Sequence, residues 1–412
     1  MVRYFFRAAF VISATLAGCA RPPKFRDGDW RAYLERKDGH HIPFNFNVRD
    51  SAGKQVLYMR NAGERLLVDS IRVEGDSVFI RFPFFESQLR GALTADGNLE
   101  GLWIIHLTDS FRRVPFRATY GQDYRFPTDP SKPHGGASGR WAAMFHSADG
   151  TDSTFRVGEF SQSGAAVAGT FLDAGGDLRY LQGVMEGDTL RLSTFDGTHA
   201  YYFTALQKGD SLVSGAMYSG PVSYSTWSAV KDSAAHLEDQ FSMTKWNKDM
   251  PFGFTFRDLN GKPVSFPDER FKGKVVLVQL MGSWCPNCMD ETRFLSKFYD
   301  EYRNKGVEVV SLAYERSTDF ARSAWAVGAF QQRFDVQYPM LITGVAVGDP
   351  QRAAKTLPQL DGIHDFPTTI FVGKDGKIAR IHTGFNGPGT GEHYQDQQQE
   401  FRELADSLLK QK

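Results

Sequence analysis

The chain has 412 residues, 48 of them basic and 48 acidic, and so carries no net formal charge at neutral pH. That balance gives no electrostatic footing for nucleic acid, which needs a basic face. The length suits several domains rather than one, and three cysteines exclude both a disulfide-stapled scaffold and a four-thiolate zinc site.

The chain opens MVRYFFRAAFVISATLAGCARPPKF. Arg3 and Arg7 precede an apolar run from Ala8 to Ala17, too short to span a bilayer as a stable helix, which reads as an export signal. Its end, Leu16-Ala17-Gly18-Cys19, resembles the lipobox of bacterial lipoproteins. The resemblance implies a signal peptide over residues 1–18, cleavage before Cys19 and lipidation of its thiol. The product is then a periplasmic protein held to the lipid bilayer through a tether over residues 19–27. Such a compartment is where disulfides form and need managing.

A β-rich region follows, and it repeats. GDWRAYLERKDG at Gly28–Gly39 returns as GRWAAMFHSADG at Gly139–Gly150, an offset of 111 that Phe44 and Phe155 share. VEGDSVFIRF from Val73 then matches MEGDTLRLST from Met185 after a slip of one residue. Duplication explains this pattern, with copies over residues 28–120 and 139–230 and a Pro/Gly-rich linker, 121–138, between them. Each copy holds about eight short strand-like runs separated by turn residues, which predicts an antiparallel meander closed as a barrel or packed as a sandwich. The Gly-x-Trp at the head of each copy resembles the first strand of lipocalin-like barrels. Phe82, Phe84, Phe85, Tyr201, Tyr202 and Phe203 suit a packed core or a partner-docking surface more than a ligand calyx, and His40-His41 reads as a solvated turn.

A connector over residues 231–248 leads to residues 249–412, where strands and helices alternate. Val275–Met281 is a continuous apolar run, as a strand buried on both faces requires. GSWCPNCMDE follows at once and opens a helix whose Phe294, Leu295, Phe298 and Tyr302 share a face. Val307–Tyr314 is the next strand, Asp319–Phe334 a second helix, and Phe401, Leu404 and Leu408 mark a closing helix. The unit predicted is βαβ, with Cys285 and Cys288 at the C-terminal end of the strand and the start of the helix. A metal is not expected there, because His364, His382 and His393 lack a ligand spacing.

Gly282–Glu291 together with Phe366-Pro367-Thr368-Thr369 resembles the thioredoxin fold, in particular the TlpA/ResA-type thiol–disulfide oxidoreductases. The fold class expected is therefore multidomain: a duplicated antiparallel all-β region followed by an α/β thioredoxin-like domain. The resemblance implies a redox-active CXXC dithiol that needs no cofactor, with Cys285 attacking a protein disulfide and Cys288 resolving the mixed disulfide. Trp284, Pro286, Phe366 and a cis Pro367 would line the substrate groove. Disulfide-containing proteins would be the substrates, and a membrane or periplasmic electron donor would recharge the dithiol. Two departures concern the proton. Thioredoxins carry a buried Asp where this chain has Gln279, and relatives carry a Glu where Arg257 aligns. Glu315 and Glu291 are the candidate proton acceptors, with solvation as the other reading of both, and His364 is a weaker candidate. A peroxiredoxin-like thiol peroxidase and a ligand-binding lipoprotein with an accessory redox domain stand as alternatives.

Overall fold

The computed structural model describes residues 24–83, 85–108, 110–129, 131–132 and 135–411. Cys19, the expected export signal and Phe84 lie outside the described residues. Between Gly28 and Tyr120 runs a nine-stranded antiparallel sheet, a meander whose first strand pairs with its last through Trp30 opposite Tyr120. Glu64–Val68 and Ser70–Glu74 are the two ends of this sheet, so the barrel-like first copy is split between them. A second nine-stranded sheet covers Gly139–Lys231. Here Ser153–Ser163 pairs with Ala166–Asp173, and the ring of strands is continuous. The shortest of these nine strands is Gly176–Asp177, folded back on Leu172 and Asp173.

Equivalent residues do equivalent work in the two copies. Trp30 and Trp141 are both fully buried. The Trp30 indole donates to the Arg26 carbonyl at 3.0 Å and the Trp141 indole to the Ala137 carbonyl at 2.8 Å. The expected equivalence of Phe44 and Phe155 does not hold. Phe44 sits opposite Ala32 in the core, whereas Phe155 sits opposite Met144 and is exposed. One residue of slip reverses the side-chain face of a strand.

Aromatic rings fill the first barrel, and one of them comes from the other copy. Phe195 packs against Phe44, Phe82 and Trp103, with ring centroids 4.3, 5.8 and 5.1 Å away. The Trp103 indole donates to the Gly197 carbonyl at 3.0 Å. Phe82 and Phe85 are therefore core, as are Phe203 and the half-buried Tyr201 of the second copy. Tyr202 instead stacks on Phe126 at 5.8 Å. The segment joining the copies is not a free linker. Arg125 within it is buried and donates to Asn45 and Ser193, and burial lowers its guanidinium pKa to about 9. His40 and His41 are exposed, with His40 stacked on Tyr218 at 4.1 Å.

The C-terminal domain carries a seven-stranded mixed sheet. Its order is Pro263–Phe266, Phe254–Asp258, Met340–Ile342, Val307–Ala313, Val275–Met281, Thr368–Val372 and Ile378–Thr383. Val275–Met281 and Val307–Ala313 run parallel at its centre and every residue of both is buried. The helix Pro286–Tyr302 crosses between them, Phe320–Arg333 follows, and Glu392–Lys410 closes the domain. Arg333 reaches Asp69 at 2.8 Å and the Leu67 carbonyl at 2.9 Å, beside the split in the first barrel.

Candidate active site

The site begins where the buried strand Val275–Met281 ends. Gly282 and Ser283 turn the chain, and Cys285 becomes the N-cap of the helix. Pro286 opens that helix, where its missing N–H costs nothing. The Cys288 amide points at Cys285 Sγ at 3.1 Å. Cys285 and Cys288 are disulfide-bonded, with Cα atoms 5.2 Å apart, and Cys285 is 5% exposed while Cys288 is fully buried. Unpaired amides and the helix dipole at this end favour a thiolate on Cys285 once the bond is reduced.

The strand end at Tyr314-Glu315 holds the turn in place. The Trp284 indole donates to the Tyr314 carbonyl at 2.9 Å. Glu315 accepts from the Ser283 amide at 2.8 Å and from its hydroxyl at 2.7 Å. Across the dithiol, the Phe366–Pro367 peptide bond is cis. The Phe366 carbonyl oxygen lies 3.6 Å from Cys285 Sγ, and the Phe366 ring meets Trp284 edge-on at 5.8 Å. Trp284 and Pro286 from one segment and Phe366 and Pro367 from another are thus gathered at the two cysteines, with Pro286 buried and Trp284 half-buried.

Beneath the dithiol lies a closed polar network. Glu291 accepts from Gln279 and from Thr369, both at 2.8 Å. Gln279 in turn accepts from the Ser311 hydroxyl at 2.6 Å. Neither Glu291 nor Glu315 is solvated, which overturns that reading of both. Burial pushes each carboxyl up to about 7, against the lowering effect of its hydrogen bonds. Glu291 follows Cys288 by one helical turn, so the two side chains share a face.

Other sequence candidates fall elsewhere. Arg257 is exposed on Phe254–Asp258, and two strands separate it from the strand that leads into the dithiol. His364 is exposed and bonds Asp361 at 3.2 Å. His382 is buried against Gln397, and desolvation lowers its pKa to about 4, while His393 pairs with Glu159 at 3.0 Å. Three or more metal-binding side chains nowhere converge among the described residues.

Sequence reasoning missed the residues that join the dithiol to the barrels. Asn287, between the cysteines, donates to the Gly175 carbonyl at 3.3 Å. Asp290 forms a buried ion pair with Arg179, which also pairs with Glu64 of the first barrel. Desolvation opposes the Arg179 charge, but the surrounding carboxylates prevail and raise its pKa. No local signal marks these contacts, since Arg179 and Asp290 stand 111 residues apart.

Residues 245–397 match the Redoxin family model. Over 125 residues the chain is 33% identical to the thiol-disulfide oxidoreductase ResA of Bacillus thuringiensis subsp. konkukian, covering 30% of this chain and 62% of that protein. The Bacillus subtilis ResA is 28% identical over 131 residues, covering 32% of this chain and 64% of the relative. This chain therefore spans less than two thirds of the relatives' own length. Among solved structures, a thioredoxin-family thiol:disulfide interchange protein from Chlorobium tepidum TLS is 18% identical, covers 40% of this chain and 99% of its own, and has a TM-score of 0.31. A thiol-disulfide oxidoreductase from Bacteroides fragilis is 22% identical, with 37% and 97% covered and a TM-score of 0.28. The C-terminal part of the chain is thus a thioredoxin-like Redoxin domain, similar in sequence to ResA-type thiol-disulfide oxidoreductases.

Proposed function

We propose that this protein is a membrane-anchored, periplasmic thiol–disulfide oxidoreductase that reduces protein disulfides. The observation that carries the reading is the capped dithiol: Cys285 at the helix start, the Cys288 amide on its sulfur at 3.1 Å, and the Phe366 carbonyl oxygen 3.6 Å away. The reduced Cys285 thiolate attacks one sulfur of a substrate disulfide, forming a mixed disulfide and releasing one substrate thiolate. Cys288 gives its proton to Glu291 and attacks Cys285 Sγ, which releases the second substrate thiolate and leaves the Cys285–Cys288 disulfide. Two electrons pass to the substrate, and a membrane or periplasmic dithiol donor restores them.

Glu291 suits the proton step because it shares a helix face with Cys288 and its carboxyl titrates at about 7. Glu315 accepts from the Ser283 amide and hydroxyl and so fixes the turn that presents Cys285. The lipobox-like Leu16–Cys19 supports anchoring through lipid on Cys19.

Trapping tests the mechanism. Cys288→Ser leaves Cys285 disulfide-bonded to its protein substrate, recoverable by non-reducing electrophoresis, and Cys285→Ser traps nothing. Sustained peroxide consumption with no trapped partner would make the enzyme a thiol peroxidase instead.

A further inference from the structure

Both copies of the β region touch the rim of the dithiol, from opposite sides. On one side the hairpin tip Asp173–Asp177 of the second barrel lies against the redox domain. Gly175 accepts from Asn287 at 3.3 Å and from the Phe385 amide at 3.2 Å, and Gly176 bridges Phe385 as a short parallel strand would. Gly176 has φ +133°, and a Cβ there would meet Asn287 Nδ2 at 2.5 Å, so only glycine allows this approach. Asp177 accepts from the Gly387 amide at 2.6 Å, and the Arg179–Asp290 pair fastens the base of the hairpin.

On the other side the turn after Leu99–His106 of the first barrel meets the loop that follows Glu315. Thr108 donates to the Arg316 carbonyl at 2.7 Å, and Arg322 holds Glu86 through two bonds of 2.9 and 3.1 Å. The Arg316 guanidinium lies 5.8 Å from the Trp284 ring centroid. Pro286 is buried although it begins a helix, and Cys285 keeps only 5% of its surface.

Resting on the oxidoreductase reading above, we propose that the two barrels form a substrate-selecting collar: Cys285 takes disulfides carried on extended, unfolded polypeptide and excludes those set in a folded surface. The physical reason is reach. Exchange needs an in-line approach of a sulfur to Cys285 Sγ, and the neighbouring backbone of the substrate must enter with it. The Asp173–Asp177 hairpin already uses the Phe385 backbone and covers the Asn287 side. The approach left to Cys285 runs beside Trp284 and Phe366, where an extended strand presents less bulk to the barrels than a convex domain does.

The test uses the full chain, reduced beforehand with dithiothreitol and freed of it, in single-turnover reactions. One probe is an unstructured peptide bearing a mixed disulfide with glutathione; the other is a small folded protein bearing the same mixed disulfide on a surface cysteine. The expected outcome is at least a hundredfold faster reaction with the peptide. Gly175→Glu tests the hairpin itself. A Cβ there falls 2.6 Å from Asp365 Cγ, and that carboxylate cannot swing away without losing its 2.7 Å bond from the Phe366 amide. This variant should gain at least tenfold on the folded probe and change less than twofold on the peptide. Glu86→Ala, which loosens the opposite wall, should gain in the same direction. Equal rates for both probes in the wild type, or folded-probe rates unmoved in both well-folded variants, would overturn the collar. Reaction with neither probe would instead overturn the oxidoreductase reading.

Discussion

Gln279 donates to the carboxylate of Glu291 at 2.8 Å, and neither residue is reached by solvent. Gln279 holds the strand position where thioredoxins carry their buried aspartate, and the carboxylate here arrives from the facing helix instead. An amide that cannot ionise thus orients a carboxyl that can. This arrangement keeps a titratable group below Cys288 while avoiding two buried carboxylates in one site, which could not both ionise.

Glu291 should leave a signature in stability. Burial raises its carboxyl from 4.5 to about 7 in the folded protein, so between these values the folded state holds a proton that the unfolded chain has released. Its contribution is fully present below pH 4.5 and is lost as pH rises through 7. The amount is roughly 3 kcal/mol, and Glu315 acts in the same direction. Glu291→Gln should flatten this part of the profile in chemical denaturation measured from acid to neutral pH. The same variant should slow resolution of the mixed disulfide by roughly a hundredfold while leaving the first attack by Cys285 unchanged, as read by stopped-flow tryptophan fluorescence.

Ser283→Ala removes the hydroxyl that donates to Glu315 at 2.7 Å. The loss should cost about 1–2 kcal/mol. Because that bond lowers the Glu315 pKa, its removal should push the carboxyl further up, which carboxyl NMR titration of labelled glutamate would show. An unmoved Glu315 resonance would mean that the carboxylate finds another donor.

Arg179→Met should destabilise the protein by about 3–5 kcal/mol at neutral pH, since Asp290 and Glu64 lose the cation they pair with. The deficit should shrink on acidification. Asp177 already titrates at about 6 through burial, the Arg179 charge holds it down, and without that charge it protonates still earlier as pH falls. Denaturation at two pH values checks both the size and the direction.

Phe195→Ala should cost about 3–5 kcal/mol and act on the copy to which Phe195 does not belong. Its ring fills space between Phe44, Phe82 and Trp103. Hydrogen exchange should therefore accelerate in the strands of the first barrel. Faster exchange confined to the second barrel would show that the two cores fold independently.

Much of the architecture was open to sequence reading because its determinants are short-range. Val275–Met281 is apolar at every position but Gln279, Pro286 sits at a helix start, and the acidic-to-aromatic run after it has helical spacing; each signal spans a few residues. The duplication was visible as repeated Gly-x-Trp, and the bonds from Trp30 to Arg26 and from Trp141 to Ala137 repeat with it. Phe155 was misplaced because a one-residue change in strand register leaves almost no trace in composition yet turns every side chain over.

The sequence by itself thus determined the dithiol, its strand-to-helix setting, the β-rich repeat and the class of the C-terminal domain. Tertiary structure alone decided that Glu291 and Glu315 are buried, that Arg257 stands apart from the cysteines, and that Phe195 of one barrel completes the core of the other. It alone brought Gly175 to Asn287 and Arg179 to Asp290. Local patterns encode secondary structure through backbone geometry and the period of apolar residues. Burial of a charge, or contact between segments over a hundred residues apart, depends on how whole sheets and helices pack, and no short window of sequence contains that information.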